Sequence, residues 1–81
     1  GDEVLFAAFS PDGSRVVSAG DDGARVLDAR TGAEQLALRG HQQRVSWATF
    51  SPDGARVATA GKDGTARVWD AATGVERLVL K

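Results

Sequence analysis

Short apolar runs alternate with clusters of Gly, Pro and Asp along the whole chain. The runs are rich in Val, Leu, Ala and aromatic residues and recur about every ten residues, which is typical of short antiparallel strands joined by turns. Helix is not expected, because no long window keeps a 3.6-residue apolar period without Gly or Pro interrupting it. The predicted strands are 4–9, 15–19, 25–27 and 35–38, and then 45–50, 56–60, 66–69 and 77–80.

The chain contains an internal repeat. Residues 9–13 read Phe-Ser-Pro-Asp-Gly, and residues 50–54 read the same, a shift of 41 positions. One residue is then missing from the first copy, so residues 26–28 match 68–70 at a shift of 42. In both copies Pro presets the φ angle at the second position of a type I turn, and the final Gly can adopt a positive φ. The sequence therefore predicts two copies of one four-stranded unit.

A period of about 41 residues with four strands per copy is that of WD-repeat propeller blades. The second copy resembles this family closely, with Gly-His at 40–41, Ser-Pro-Asp-Gly at 51–54, Asp-Gly at 63–64 and Trp-Asp at 69–70. The resemblance implies an all-β fold of two four-stranded antiparallel blades, residues 1–39 and 40–81, within one propeller. The first copy is a degraded example, since Leu27-Asp28 stands where Trp-Asp is expected.

Blades of this family carry a structural tetrad of His, Ser or Thr, Asp and Trp. The resemblance assigns these positions to His41, Thr59, Asp63 and Trp69. A carboxylate and a hydroxyl can each pair with one imidazole nitrogen, and the hydroxyl can also accept the indole N–H.

The first copy keeps only part of this tetrad. Ser18 and Asp22 match the hydroxyl and the carboxylate, whereas Leu27 has no N–H to donate. The second blade is therefore expected to be the stiffer of the two.

Alternation along the first strand of each copy predicts which side chains pack between blades. Ala48 and Phe50 are expected to point one way, and Val45 and Trp47 the other. Phe6 occupies the place of Trp47 in the first copy. We interpret Phe6 and Trp47 as packing residues between the blades, in preference to the alternative that they stack on a ligand.

Two blades leave one face of each blade uncovered, about 300 Å² per face from strand rise and spacing. Repeat units gain stability from their neighbours, and head-to-tail addition of copies makes a ring if it closes. Propellers have about 4 to 8 blades. We therefore expect the ring to be closed by self-assembly, with a homotetramer of eight blades favoured and a trimer of six blades second.

Charge and composition exclude several classes of partner. The 10 basic and 11 acidic residues are scattered and give a net charge of -1, so nucleic acid is not expected as a partner. No apolar stretch approaches the roughly 18 residues of a membrane span, which predicts a soluble chain and no membrane partner. The absence of Cys excludes Cys-ligated zinc and thiol catalysis. The absence of Met, with Gly1 at the start, favours an excised or designed piece.

The sequence predicts no catalytic residue, metal site or cofactor. His41 is the single His, no Gly-x-Ser-x-Gly motif occurs, and the Asp-rich turns lack the ligand spacing of a calcium loop. Two functions fit this pattern: a protein-interaction scaffold, or a purely structural or designed fragment with no partner beyond itself. A ligand in the central channel is a third possibility. In the family that the chain resembles, the loops between blades and those between the second and third strands share a rim that often binds partners, and this resemblance implies the candidate rim contacts Gln42, Gln43, Arg44 and Lys62.

Overall fold

The computed structural model describes residues 4–21, 23–41 and 43–81. These residues form eight strands and no helix. The strands are β1 (Val4–Phe9), β2 (Arg15–Gly20), β3 (Gly23–Asp28), β4 (Glu34–Leu38), β5 (Val45–Phe50), β6 (Arg56–Gly61), β7 (Ala66–Asp70) and β8 (Glu76–Leu80).

Consecutive strands pair antiparallel in two separate sheets, with the orders β1-β2-β3-β4 and β5-β6-β7-β8. We call these sheets the first and second blade. The arrangement confirms the predicted all-β fold class with two four-stranded blades. The strand positions also agree with those predicted, although most strands after β1 extend one residue further than the sequence indicated.

The turn sequences close the hairpins as their chemistry predicts. In the first blade the amide of Gly13 donates to the carbonyl of Ser10 at 2.9 Å, and Gly13 has a φ of 75°. Gly54 in the second blade repeats this turn with a φ of 74°. A side chain at either position would be strained, because L-residues rarely adopt this left-handed conformation.

A β-bulge interrupts the first strand of each blade and changes which side chains share a face. In β5 the pairing with β6 shifts between Val45 and Trp47, so that Ser46 is the extra residue. Val45 is therefore buried together with Ala48 and Phe50, whereas Trp47 is exposed. The predicted pairing of Val45 with Trp47 on one face was wrong, because a bulge breaks strict alternation.

The core lies at the junction of the two blades. We call the face of a blade turned toward the next blade along the chain its front face, and the opposite face its back face. Side chains from the front face of the first blade pack against those from the back face of the second. The front-face members are Val17, Ala19, Ala24, Val26 and Leu38, and the back-face members are Val45, Ala48, Phe50, Val57, Trp69 and Ala71.

Candidate functional site

The structure brings together the four side chains assigned to the tetrad of the second blade. The Nδ1 of His41 lies 3.1 and 3.2 Å from the two carboxylate oxygens of Asp63, and its Nε2 lies 2.7 Å from Oγ1 of Thr59. The indole Nε1 of Trp69 donates to the same Oγ1 at 3.0 Å. The network thus links His41, in the segment between β4 and β5, to strands β6 and β7 and to the turn between them.

The chemistry of the groups determines which atom donates and which accepts in each hydrogen bond of the network. A carboxylate only accepts hydrogen bonds, so Nδ1 of His41 donates to Asp63. Nε2 then accepts from the hydroxyl of Thr59, whose oxygen accepts from Trp69. The His41 side chain is only 1% exposed, and both of its ring nitrogens are engaged. A metal ion or a substrate proton would have to displace one of these partners.

Three further residues extend the network and were not assigned by the sequence interpretation. The hydroxyl of Thr65 donates to Asp63 at 2.7 Å and accepts from Nε of Arg67 at 3.2 Å. Nη2 of Arg67 also lies 3.7 Å from Oδ2 of Asp63, and its Nη1 donates to Oε1 of Glu76 at 2.8 Å. The signal was present in the repeat, since the first blade pairs Arg25 with a Glu in the same way.

Two glycines leave the space that the network fills. A Cβ at Gly61 would lie 2.6 Å from Nδ1 of His41, and a Cβ at Gly40 would lie 2.8 Å from the Trp69 ring. Gly61 does not have a positive φ, so its turn does not require glycine. The buried imidazole does require it, because real Cβ contacts are never that short.

Among the residues that the structure describes in the first blade, no matching network is formed. Ser18 and Leu27, at the positions of Thr59 and Trp69, are only partly buried. Asp22, the third matching residue, lies outside the described residues. The residue missing from the first copy falls at the position of Thr65, so the turn of the first blade is shorter by the residue that braces Asp63.

Arg15 of β2 joins the first blade to the second by hydrogen bonds, on the rim where the β1–β2 and β5–β6 turns lie. Its Nη1 donates to the carbonyl of Ala71 at 2.6 Å, and its Nη2 donates to that of Gly54 at 3.4 Å. The guanidinium carbon also stands 5.4 Å from the centre of the Phe50 ring. One side chain thus binds two turns and one ring of the second blade.

The two aromatic residues assigned to packing between blades lie near each other, with their rings tilted. The ring centres of Phe6 and Trp47 are 6.3 Å apart with planes at 38°. This separation is within the usual range for interacting aromatic pairs. Trp47 remains 43% exposed, so it borders the junction rather than filling it.

The candidate rim residues differ in how freely they could contact a partner. Nε of Arg44 lies 2.7 Å from Oδ1 of Asp21 in the first blade, so this arginine already joins the two blades. The carbonyl of Arg44 accepts the amide of Lys62 at 2.8 Å, which holds two loops together. The side chains of Gln43 and Lys62 are exposed. Gln42 lies outside the described residues.

A cleft of about 280 Å³ opens beside this rim where the two blades meet. Its walls include the turn at Asp21, the ends of β3 and β4, and the segment from Arg39 to His41. Gln43 also lines it. The rim therefore offers a concave surface made by the first blade and by the segment that joins the two blades.

Carboxylates in the turns are held in their ionised form. The amide of Ser14, helped by the hydroxyls of Ser14 and Ser10, lowers the pKa of Asp12 from 3.8 to about 2. The hydroxyl of Ser51, followed by a backbone amide, lowers the pKa of Asp53. Two backbone amides lower the pKa of Asp70. Each shift reflects hydrogen bonds that favour the charged form.

Two other kinds of site are absent from the part of the chain that the structure describes. No group of three or more His, Cys, Asp or Glu side chains is placed to hold a metal ion. No helix there has the length and apolar character of a membrane span.

Comparison with known proteins agrees with the two-blade architecture. The WD domain, G-beta repeat family matches residues 1–26 and 32–70, which together are most of the chain. A comparison with curated proteins finds no significant match. The repeat period, the two four-stranded blades and this match lead to one conclusion: the chain belongs to the WD-repeat family.

Proposed function

We propose that this chain is a non-enzymatic WD-repeat scaffold for protein interactions, and that it assembles with copies of itself into a closed ring. Repeats of this family generally mediate protein–protein interactions and are not enzymes. Ring formation rests on one observation, which is that matching residues of the two blades differ sharply in burial.

The contrast is largest at two pairs of matching residues. Phe50 is 7% exposed on the covered back face of the second blade, whereas Phe9 at the same repeat position is 67% exposed. Leu38 is 2% exposed on the covered front face of the first blade, whereas Leu80 is 55% exposed. Each blade therefore presents one apolar face without a neighbour, and apolar faces of this size are typical of interaction surfaces.

The two uncovered faces are of the two types that pack against each other at the covered junction. One is a back face and the other is a front face, so a second copy can add in the same way that the second blade adds to the first. Addition of this kind gives a ring when the rotation closes. With two blades per chain, four copies give eight blades and three copies give six, both within the usual range of about 4 to 8. We favour four copies.

Light scattering coupled to size exclusion, over a wide range of concentrations, tests ring formation. A single species of about four times the chain mass of 8.4 kDa is the expected result. A species of three chain masses would give the six-bladed ring instead. A monomer at every concentration would contradict self-assembly.

The second candidate function is a purely structural unit that binds only its own copies. The engagement of Arg44 with Asp21 favours it, because one of the candidate contact residues is already used between the blades. Affinity capture with the wild-type chain and with a Gln43→Ala variant, which leaves Lys62 in place, separates the two candidates. A foreign protein bound in stoichiometric amount by the wild type and lost with the variant would support the scaffold. Recovery of the chain alone from both would support the structural unit.

A further inference from the structure

We infer that copies of this chain bind each other through one defined interface, in which Arg56 of one copy contacts Phe9 of the next. An ion pair on the rim, between Lys62 and Glu3, has its charges reversed relative to Asp21 and Arg44 and fixes the order of the blades. The inference rests on the proposed self-assembly and names the residues that perform it. The occupant of each uncovered face is thus a second copy of this chain.

The covered junction shows what such an interface needs. There, Arg15 donates to two turn carbonyls of the following blade and lies over a phenyl ring. All of these groups come from turns and strands that the repeat duplicates. The same set of contacts can therefore be sought on the uncovered faces.

The repeat supplies every member of that set a second time. Arg56 stands at the position of Arg15, on the uncovered front face of the second blade. Phe9, Gly13 and Ala29 stand at the positions of the ring and of the two carbonyls, on the first blade. All four are exposed. A cation, a ring and two acceptors are thus displayed in matching places on opposite ends of the chain.

The outer strands provide a second set of matching contacts. At the covered junction a Cβ on Gly74 would lie 3.7 Å from the Cδ2 of Leu38, so the β7–β8 turn of the second blade rests against β4 of the first. The repeat places Leu80 and Gly32 at these two positions, and both are exposed. Leu80 of one copy would be covered by the β3–β4 turn of the next.

The rim carries the strongest indication that the partner is a copy of this chain. At the covered junction Asp21 of the first blade binds Arg44 of the second at 2.7 Å. At the matching positions stand Lys62 and Glu3, so that both charges are reversed. Glu3 lies outside the described residues, but its charge and its place in the repeat follow from the sequence. The repeat in the sequence therefore assigns opposite charges to the junction between copies as well.

The reversal also opposes incorrect order. Stacking of a second blade on another second blade would place Lys62 against Arg44, and stacking of two first blades would place Asp21 against Glu3. Like charges at these positions disfavour both arrangements. Only the alternating order of first and second blades gives opposite charges at every junction.

The test compares the assembly of the wild-type chain, Arg56→Ala and Arg77→Ala by light scattering over a range of concentrations. Arg56→Ala removes charge-assisted hydrogen bonds and is expected to weaken each junction between copies about tenfold or more. Arg77→Ala is the matched control, because Gln35 at the same position is exposed in the first blade, which does have a neighbour on its front face. Circular dichroism establishes that each variant folds, and Phe9→Ala tests the same contact from the other copy if Arg56→Ala does not.

The outcomes separate this inference from self-assembly itself. A wild-type chain that stays monomeric overturns both. If the wild-type chain assembles with the same affinity as Arg56→Ala and Phe9→Ala, self-assembly is supported but the proposed interface is overturned. Assembly that depends on a different protein, and not on chain concentration, overturns the choice of a second copy as the occupant.

A charge exchange tests the rim pair separately. Lys62→Glu alone is expected to weaken the junction about two- to fivefold, as for an exposed ion pair. Adding Glu3→Lys to that variant is expected to restore the wild-type affinity. Failure of the second substitution to restore assembly would overturn the role of this pair.

Discussion

The two blades share most of their residues at matching positions, yet each is buried on a different face. The first blade is covered on its front face and the second on its back face. Phe9 and Phe50 therefore differ about as much as a surface and a core residue do, although each is the last residue of the first strand of its blade and precedes the same turn. In this fold the neighbour, and not the residue type, decides which positions form the core.

The polar network shows the same asymmetry. Thr59 and Trp69 lie on the covered back face of the second blade, where burial makes an unpaired donor costly. Ser18 and Leu27 lie on the uncovered back face of the first blade. We propose that the tetrad stabilises the covered junction, and that the first blade carries no comparable network.

Replacement of the tetrad tryptophan is expected to give the largest difference between the blades. Trp69→Ala removes a side chain that is almost fully buried and should lower the free energy of unfolding by about 3–5 kcal/mol. Leu27→Ala, its match in the first blade, should cost clearly less. Urea unfolding of both variants at one low protein concentration checks this. Equal losses would remove the proposed asymmetry.

Loss of one hydroxyl is expected to have the next largest effect. Thr59→Val keeps the shape of the side chain but leaves the Trp69 indole N–H and the His41 Nε2 without their partner. The expected loss is about 1–3 kcal/mol. Ser18→Ala in the first blade is the control and should change stability less. A Thr59→Val chain as stable as the wild type would mean that the network does not stabilise the fold.

Hydrogen exchange should show the difference between the blades without any substitution. We expect the amides of Thr59 and Trp69 to exchange about tenfold more slowly than those of Ser18 and Leu27, which corresponds to about 1.4 kcal/mol of opening free energy. Mass spectrometry of peptides from β6, β7 and their counterparts β2 and β3 measures this. Equal or reversed protection would contradict a stiffer second blade.

Acidification should change the stability of the fold least, and it should affect the two blades to a similar extent. The pKa values of Asp12, Asp53 and Asp70 are lowered in the fold, so the stability that these carboxylates provide is present above pH 3.8 and is lost as the pH falls through their folded values. The thermal midpoint should therefore fall between about pH 4 and pH 2.

One hydroxyl distinguishes the two turns in this titration. Ser14 binds Asp12 through both its amide and its hydroxyl, whereas Ala55 at the matching position offers Asp53 only an amide. Ser14→Ala should raise the pKa of Asp12 from about 2 toward its ordinary value of 3.8. Carboxyl carbon chemical shifts followed against pH report this directly. An unchanged Asp12 titration would show that the Ser14 hydroxyl does not contribute to the lowered pKa.

The strands, the turns and the family followed from the sequence because they depend on local composition and on the repeat. The side of the strand on which Val45 lies did not, since the bulge at Ser46 has no marker residue and shifts the alternation that the prediction assumed. The contacts of Arg67 with Thr65 and Glu76 were also missed. The repeat carries a sign of the second contact, because Arg25 and Glu34 stand at the matching positions of the first blade and also pair, but the sequence interpretation did not use it.

The covered and uncovered faces also give the chain a polarity, with consequences for how assembly would stop. Each copy that adds consumes one end and exposes an identical new end, so growth has no natural limit other than joining of the last end to the first. An Arg56→Ala copy keeps the back face of its first blade and can still add to the exposed front face of an open assembly. Because it lacks the Arg56 contacts on its own front face, it would block the next addition. Small amounts of Arg56→Ala mixed with wild-type chain should therefore act as a terminator and convert rings into short open rows.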